Sequence, residues 1–158
     1  MKHLRSTLLL AAVTATSITM IVAAVTPGSA TPGIGFTSTT LARGTLDTTN
    51  GILFHENTDV VVAQNTISPG GSSGWHSHPG GAVIVVAQGT ITWYHVNGNK
   101  CNAVLLQAGQ TFFERPDQLV NAVNTGSSTA VVYVTFPSVP VGGSPRTEEA
   151  NPEVCSGV

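Results

Sequence analysis

Beyond residue 30 apolar side chains are never set at helical spacing. They alternate with polar ones, or bunch in runs of four to eight, between clusters of Gly, Pro, Asn and Ser. Strands are predicted over residues 59–67, closed by Ser68-Pro69-Gly70-Gly71, and over 82–87, a run apolar at every position that reads as a strand buried on both faces. Residues 90–96 form another, β-branched and aromatic throughout, and Asn97-Gly98-Asn99 is a hairpin signal that leads back into 103–106. Residues 111–114, 119–124 and 129–136 supply three more strands, parted by Arg115-Pro116-Asp117-Gln118 and Thr125-Gly126-Ser127-Ser128. Many short strands at near-regular spacing, with no internal repeat, predict an all-β fold: a small barrel or jelly roll.

The flanks differ from this body. Residues 31–58 are Thr/Ser/Gly-rich and are expected to lie along the barrel or pair at its edge. From Pro137 the prolines at 137, 140, 145 and 152 predict an extended tail, giving a barrel over 59–137 and a tail over 138–158. A total of 158 residues suits one domain with a short appendage.

Residues 1–30 read as a secretory signal peptide. Lys2, His3 and Arg5 form the positive region, residues 8–25 the apolar region, and Gly28-Ser29-Ala30 a small-residue cleavage site, with cleavage expected after Ala30. An uncleaved anchor is the alternative, weakened by the threonines and serines in the apolar run. The expected location is therefore secreted or cell-envelope, without stable membrane insertion after cleavage. Loss of Lys2 and Arg5 leaves four basic against eight acidic side chains, a formal charge of −4, and so no electrostatic footprint for nucleic acid. The two cysteines, Cys101 and Cys155, both follow the signal. In an oxidising compartment they read as a disulfide that pins the tail to the loop after Asn99, and a metal or catalytic thiol is the alternative.

The stretch from Gly70 to Gly89 carries the candidate chemistry. In an extended chain His76 and His78 project to one side and Ser77 to the other, so two imidazoles meet at one point, and Pro79-Gly80-Gly81 ends the strand behind them. Two imidazoles alone hold a divalent ion poorly, so a third ligand is required. Glu114 is the candidate: it is the sole acid between Asp59 and Asp117, in the apolar context Phe112-Phe113. The alternative makes Glu114 a surface residue paired with Arg115 or Arg146. His95 and His55 are substitute ligands or ordinary hydrogen-bonded histidines, Trp75 walls a cavity mouth or packs, and Asn121 faces a pocket or does not. No nucleophile elbow, phosphate loop or dinucleotide fingerprint occurs.

Gly70, His76, His78, Pro79, Gly80 and Gly89 resemble the first motif of the cupins, and Ala108-Gly109-Gln110, Phe112-Phe113, Pro116 and Asn124-Thr125-Gly126 the second, across residues 60–136. The resemblance implies a small β-barrel holding one metal on a His-x-His pair, a glutamate and a later histidine. Here Ala82 stands where the glutamate is usual and Val120 where the histidine is usual. In some exported cupins with a similar Gly-Trp-His-Ser-His-Pro-Gly segment a glutamate falls at the place of Glu114. The implied set is then His76, His78 and Glu114 around one divalent ion, iron, manganese or zinc, with oxidative chemistry on a small organic molecule. The rival is a metal-free, non-catalytic module that binds a small ligand in the same cavity. Cupins often pair through edge strands, so a homodimer is a further expectation of the resemblance. The fold alone does not choose among the family's activities.

Overall fold

The computed structural model describes residues 29–46 and 55–158. The predicted signal segment, apart from Ser29 and Ala30, lies outside them. Among the described residues no helix is long and apolar enough to cross a membrane.

Among the described residues ten strands, all paired antiparallel, build one curled sheet that wraps around an apolar core in the half-barrel form of a jelly roll. In chain order they are β1 (Ile34–Leu46), β2 (Thr58–Ser72), β3 (His76–Ser77), β4 (Ala82–Gln88), β5 (Thr90–Asn97), β6 (Lys100–Gln107), β7 (Thr111–Glu114), β8 (Val120–Val123), β9 (Ala130–Pro140) and β10 (Thr147–Glu148). The main path runs β10-β3-β8-β2-β9-β4-β7, with β1 on the free side of β2 and the β5–β6 hairpin joined through β8. The N-terminal segment thus pairs at the edge.

Alternation accounts for the core. Val61, Ala63 and Ile67 of β2, Ile84 and Val86 of β4, Ile91 and Trp93 of β5, and Val132, Val134 and Phe136 of β9 all point inward and are buried. The 82–87 run departs from its prediction: Val85 is 41% exposed, and Ala87 is exposed too. Tyr133 of β9 lies opposite Val85 and is also exposed, so this face is open and its apolar residues mislead a reading based on hydrophobicity alone. The turn predicted at residues 68–71 is instead a wide bulge inside β2. Ile34 pairs with Ser72 and Phe36 with Ile67, so four residues stand against Gly35 alone and the end of β2 bends over to reach Val123 of β8.

The tail is more than an extended appendage. Residues Thr147–Glu148 add β10 beside β3, Ala150 bridges to Ala30, and a 3-10 turn at Glu153–Cys155 places Cys155, buried, in a disulfide with Cys101. At the tail's entry Asp59 accepts from Arg43 at 2.6 Å and from the Gly142 amide at 2.9 Å, and Arg43 also donates to the Gly143 carbonyl at 3.0 Å.

Candidate metal centre

Three elements converge on one point of the core. The irregular stretch after β2 delivers His76 on β3 and His78 just after it, while β7 delivers Glu114. All three side chains are buried, and one ligand atom from each lies within 4.8 Å of the others. The imidazoles meet edge to face, centroids 4.7 Å apart, and His78 packs on Phe136 at the same distance. Glu114 Oε2 stands 3.1 Å from His78 Nε2, about the spacing of neighbouring ligand atoms that each lie roughly 2.1 Å from one ion. Close approach behind the histidines requires glycine. A Cβ on Gly74, whose φ is +71°, would run into the Thr31 carbonyl.

The hydrogen bonds at the far side of each ring decide which nitrogen is free. His76 Nδ1 lies 2.8 Å from the Gly74 carbonyl and His78 Nδ1 lies 2.7 Å from the Pro145 carbonyl. A carbonyl oxygen only accepts, so both Nδ1 atoms carry a proton and both Nε2 atoms face inward. Burial is the main force that holds the His76 pKa well below its ordinary value; the Arg146 charge and His78 add to it, against the Gly74 carbonyl. Two imidazoles turned the same way, Nε2 inward, and a carboxylate form a donor set that suits Fe(II), Mn(II) or Zn(II). The residues present therefore fit a divalent ion.

The register explains where the carboxylate has gone. Ala82 of β4 lies directly opposite Glu114 of β7, so the two share a face of adjacent strands, and the acid enters the core from the neighbouring strand. Val120, fully buried, pairs with His76 on one side and with His95 on the other. His95 nevertheless stays outside the group, stacked on Trp93 with centroids 4.0 Å apart. Its pKa is lowered by burial first and by Arg115 second, with Glu114 acting in the opposite sense.

The surface reading of Glu114 is excluded by its burial, and Arg146 is engaged with Glu148 instead. His55 is far along the chain's edge, bonded to Ser138 at 2.9 Å. Trp75 packs, 1% exposed, with its indole N–H directed at the Val158 carbonyl 3.4 Å away. Asn121 serves structure: its Oδ1 accepts from Ser72 at 2.8 Å and from Ser73 at 3.3 Å. The roles of the Gly74 and Pro145 carbonyls are invisible in the sequence, because a backbone acceptor leaves no residue signature.

A cavity of about 30 Å³ opens onto the three ligands. That is room for roughly two waters. Its walls are mostly apolar, among them Ile67, Ile84, Ile91, Phe112 and Val134, and Asn65 projects into it with its Oδ1 buried and unpartnered.

A curled antiparallel sheet with an inward His, His and carboxylate defines the class: a β-barrel protein with a candidate mononuclear centre. Residues 64–136 match the family model described as the cupin domain, and the chain carries a cupin domain there. No curated protein sequence matches. Among solved structures, a recombinant oxalate oxidase in complex with glycolate is 22% identical with a TM-score of 0.54, covering 72% of this chain and 55% of its own. A cupin-like protein from Thermotoga maritima is 21% identical with a TM-score of 0.52, covering 84% of this chain and 94% of its own. The oxalate decarboxylase of Bacillus subtilis, which has Mn(II) centres, is 17% identical with a TM-score of 0.51, covering 59% of this chain and 24% of its own. This chain thus spans about half the length of the oxalate oxidase chain, and at these identities the likeness is one of fold.

Proposed function

We propose that the protein is an exported cupin that binds one divalent metal, iron, manganese or zinc, through His76, His78 and Glu114, and acts oxidatively on a small organic molecule. The observation that carries the reading is the orientation of the two rings: both Nδ1 atoms are committed to carbonyls, which turns two Nε2 atoms and a buried carboxylate toward one another. Two lone-pair atoms 3.1 Å apart in a buried site repel unless a cation, a proton or a metal, lies between them. The metal, when bound, would polarise the bound molecule or oxygen. The chain's own part is to hold the ligands, to keep His76 neutral, to exclude bulk water with Ile84, Ile91, Phe112 and Phe136, and to offer Asn65 Oδ1 as an acceptor for a donor on the bound molecule. An oxalate oxidase of related fold is a precedent for the oxidative reading, and a decarboxylase of related fold with Mn(II) centres is a precedent for the metal. The Cys101–Cys155 disulfide and the signal-like N-terminus support export.

Elemental analysis of protein purified without chelator or nickel, beside the His76→Ala/His78→Ala variant, tests the site. Near one equivalent of transition metal, lost in the variant, is expected. No metal in either would leave the second reading, a small-ligand module, which the buried Ala82 and Val120 at the family's usual ligand positions favour. Intact mass of the secreted chain, expected to begin at Thr31, tests export separately.

A further inference from the structure

We infer that the C-terminal segment, held by the Cys101–Cys155 disulfide, fixes the direction of the His78 ring, so that the metal centre is competent only while the disulfide is closed. The inference rests on the metal reading above for its consequence, though not for its geometry.

His78 lies 67 positions before the residue whose carbonyl takes its Nδ1 proton. That carbonyl, of Pro145, is held in place by the tail's own contacts. Thr147 and Glu148 pair with Ser77 and His76, the Glu149 amide donates to the Trp75 carbonyl at 2.9 Å, and Ser77 Oγ donates to Glu149 Oε1 at 2.8 Å. Arg146 reaches back to the Ser73 carbonyl at 2.5 Å and lies over the Phe36 ring, 5.5 Å from its centroid. Beyond these the chain runs to Cys155, which the disulfide ties to β6. A two-residue strand frays readily on its own; a covalent anchor seven residues past Glu148 keeps it close.

Release of the tail has a defined chemical result. Without the Pro145 carbonyl the His78 Nδ1–H is left without its partner, while Glu114 Oε2 waits 3.1 Å from Nε2. The ring is then free to turn, and the direction of its Nε2 toward Glu114 and His76 is no longer fixed from behind. In that state the nitrogen a metal needs is not held in line with the other two ligands. Opening the disulfide takes two electrons and two protons from a dithiol, which is itself oxidised to a disulfide, and leaves two thiols on this chain. Loss of such an orienting hydrogen bond weakens metal binding by about 10- to 100-fold.

The experiment uses the full chain and its Cys101→Ser/Cys155→Ser variant, which avoids a thiol reductant that would itself bind metal. Three readouts are taken: amide exchange of residues 143–150, the ¹⁵N shifts of the His78 ring in metal-free protein, and Mn(II) affinity from the EPR signal of the free ion. Faster exchange, loss of the hydrogen-bonded Nδ1–H signal of His78, and a 10- to 100-fold loss of affinity are expected. Faster exchange with the Nδ1–H signal and the affinity unchanged overturns the inference, and so does exchange that does not change. If the double variant does not fold, the native chain with its disulfide opened by a phosphine reductant, itself oxidised to the phosphine oxide, is read by amide exchange and the His78 ring signals; the same changes are expected, and their absence overturns the inference in the same way. If the native chain takes up no Mn(II), Fe(II) or Zn(II), the metal reading fails. The His78 Nδ1–H signal then still decides the positioning role.

Discussion

Replacing Glu114 with glutamine separates what the carboxylate does for the fold from what it does for a metal. In the metal-free chain Glu114 and His78 are 3.1 Å apart with side chains only 6% and 5% exposed, and His78 Nδ1 is already committed to Pro145. A glutamine side-chain amide in the same place can donate to Nε2, and so replaces the buried carboxylate–imidazole contact with a neutral hydrogen bond. Removing a buried charge in this matched way is close to neutral, so the metal-free variant should lie within about 1 kcal/mol of the parent. Glu114→Ala leaves the imidazole unpaired and should cost about 1–3 kcal/mol. With metal the order changes. At a free metal concentration of about 100 times Kd the parent gains roughly 2.7 kcal/mol, or on the order of 10 °C in Tm for a domain of this size, and Glu114→Gln gains almost none because an amide oxygen supplies no anionic ligand. Differential scanning calorimetry of both chains after EDTA treatment, then with Mn(II), Fe(II) or Zn(II) added, reads all four states. A metal-induced shift in Glu114→Gln equal to that of the parent would refute Glu114 as a ligand. A metal-free drop of more than about 10 °C would refute the neutral exchange of charge for amide.

Two further outcomes test how the site is supported. Asp59→Ala removes the acceptor of Arg43 and of the Gly142 amide from a position only 2% exposed, and because Arg43 can turn to water the expected cost is about 2–3 kcal/mol, read by urea denaturation together with faster exchange in residues 141–147. The Glu148 pKa is lowered, by its hydrogen bond to Arg146 first, from an ordinary value of 4.5; its contribution is therefore present above pH 4.5 and is lost as pH falls from there through the lowered value. Glu148 is 47% exposed, so the effect stays within about 1 kcal/mol and fades with salt. Trp75 emission and tail exchange across pH 3–6 should respond in the native chain and be flatter in Glu148→Gln, and identical profiles would show that the pair does not hold the tail.

What is legible in the sequence follows from the range of each interaction. Period-two alternation in β2, β5 and β9 is local, so the sheet and its inward residues can be read directly, as can the His-x-His geometry that alternation imposes. Glu114 stands out by its isolation in the sequence, whereas its entry opposite Ala82 is a matter of register between strands 32 positions apart. The exposed face of β4 is concealed because Val83, Val85 and Ala87 are as apolar as their buried neighbours. The bulge in β2 has the signature of a turn because Pro-Gly-Gly serves both. The tail's docking is hidden most fully: its decisive atom is the carbonyl of Pro145, and every residue has a carbonyl.

The distance between His78 and Pro145 along the chain also orders events in time. Synthesis delivers both histidines and Glu114 well before the residue that fixes His78, so a half-made chain holds the ligand side chains but lacks the hydrogen bond that aims one of them. On the metal reading proposed above, the centre would be completed only once residues 145–155 are made and Cys155 has found Cys101. A shorter growing chain would then be poorly prepared to trap an ion, and the choice of metal would fall to the compartment in which the disulfide closes.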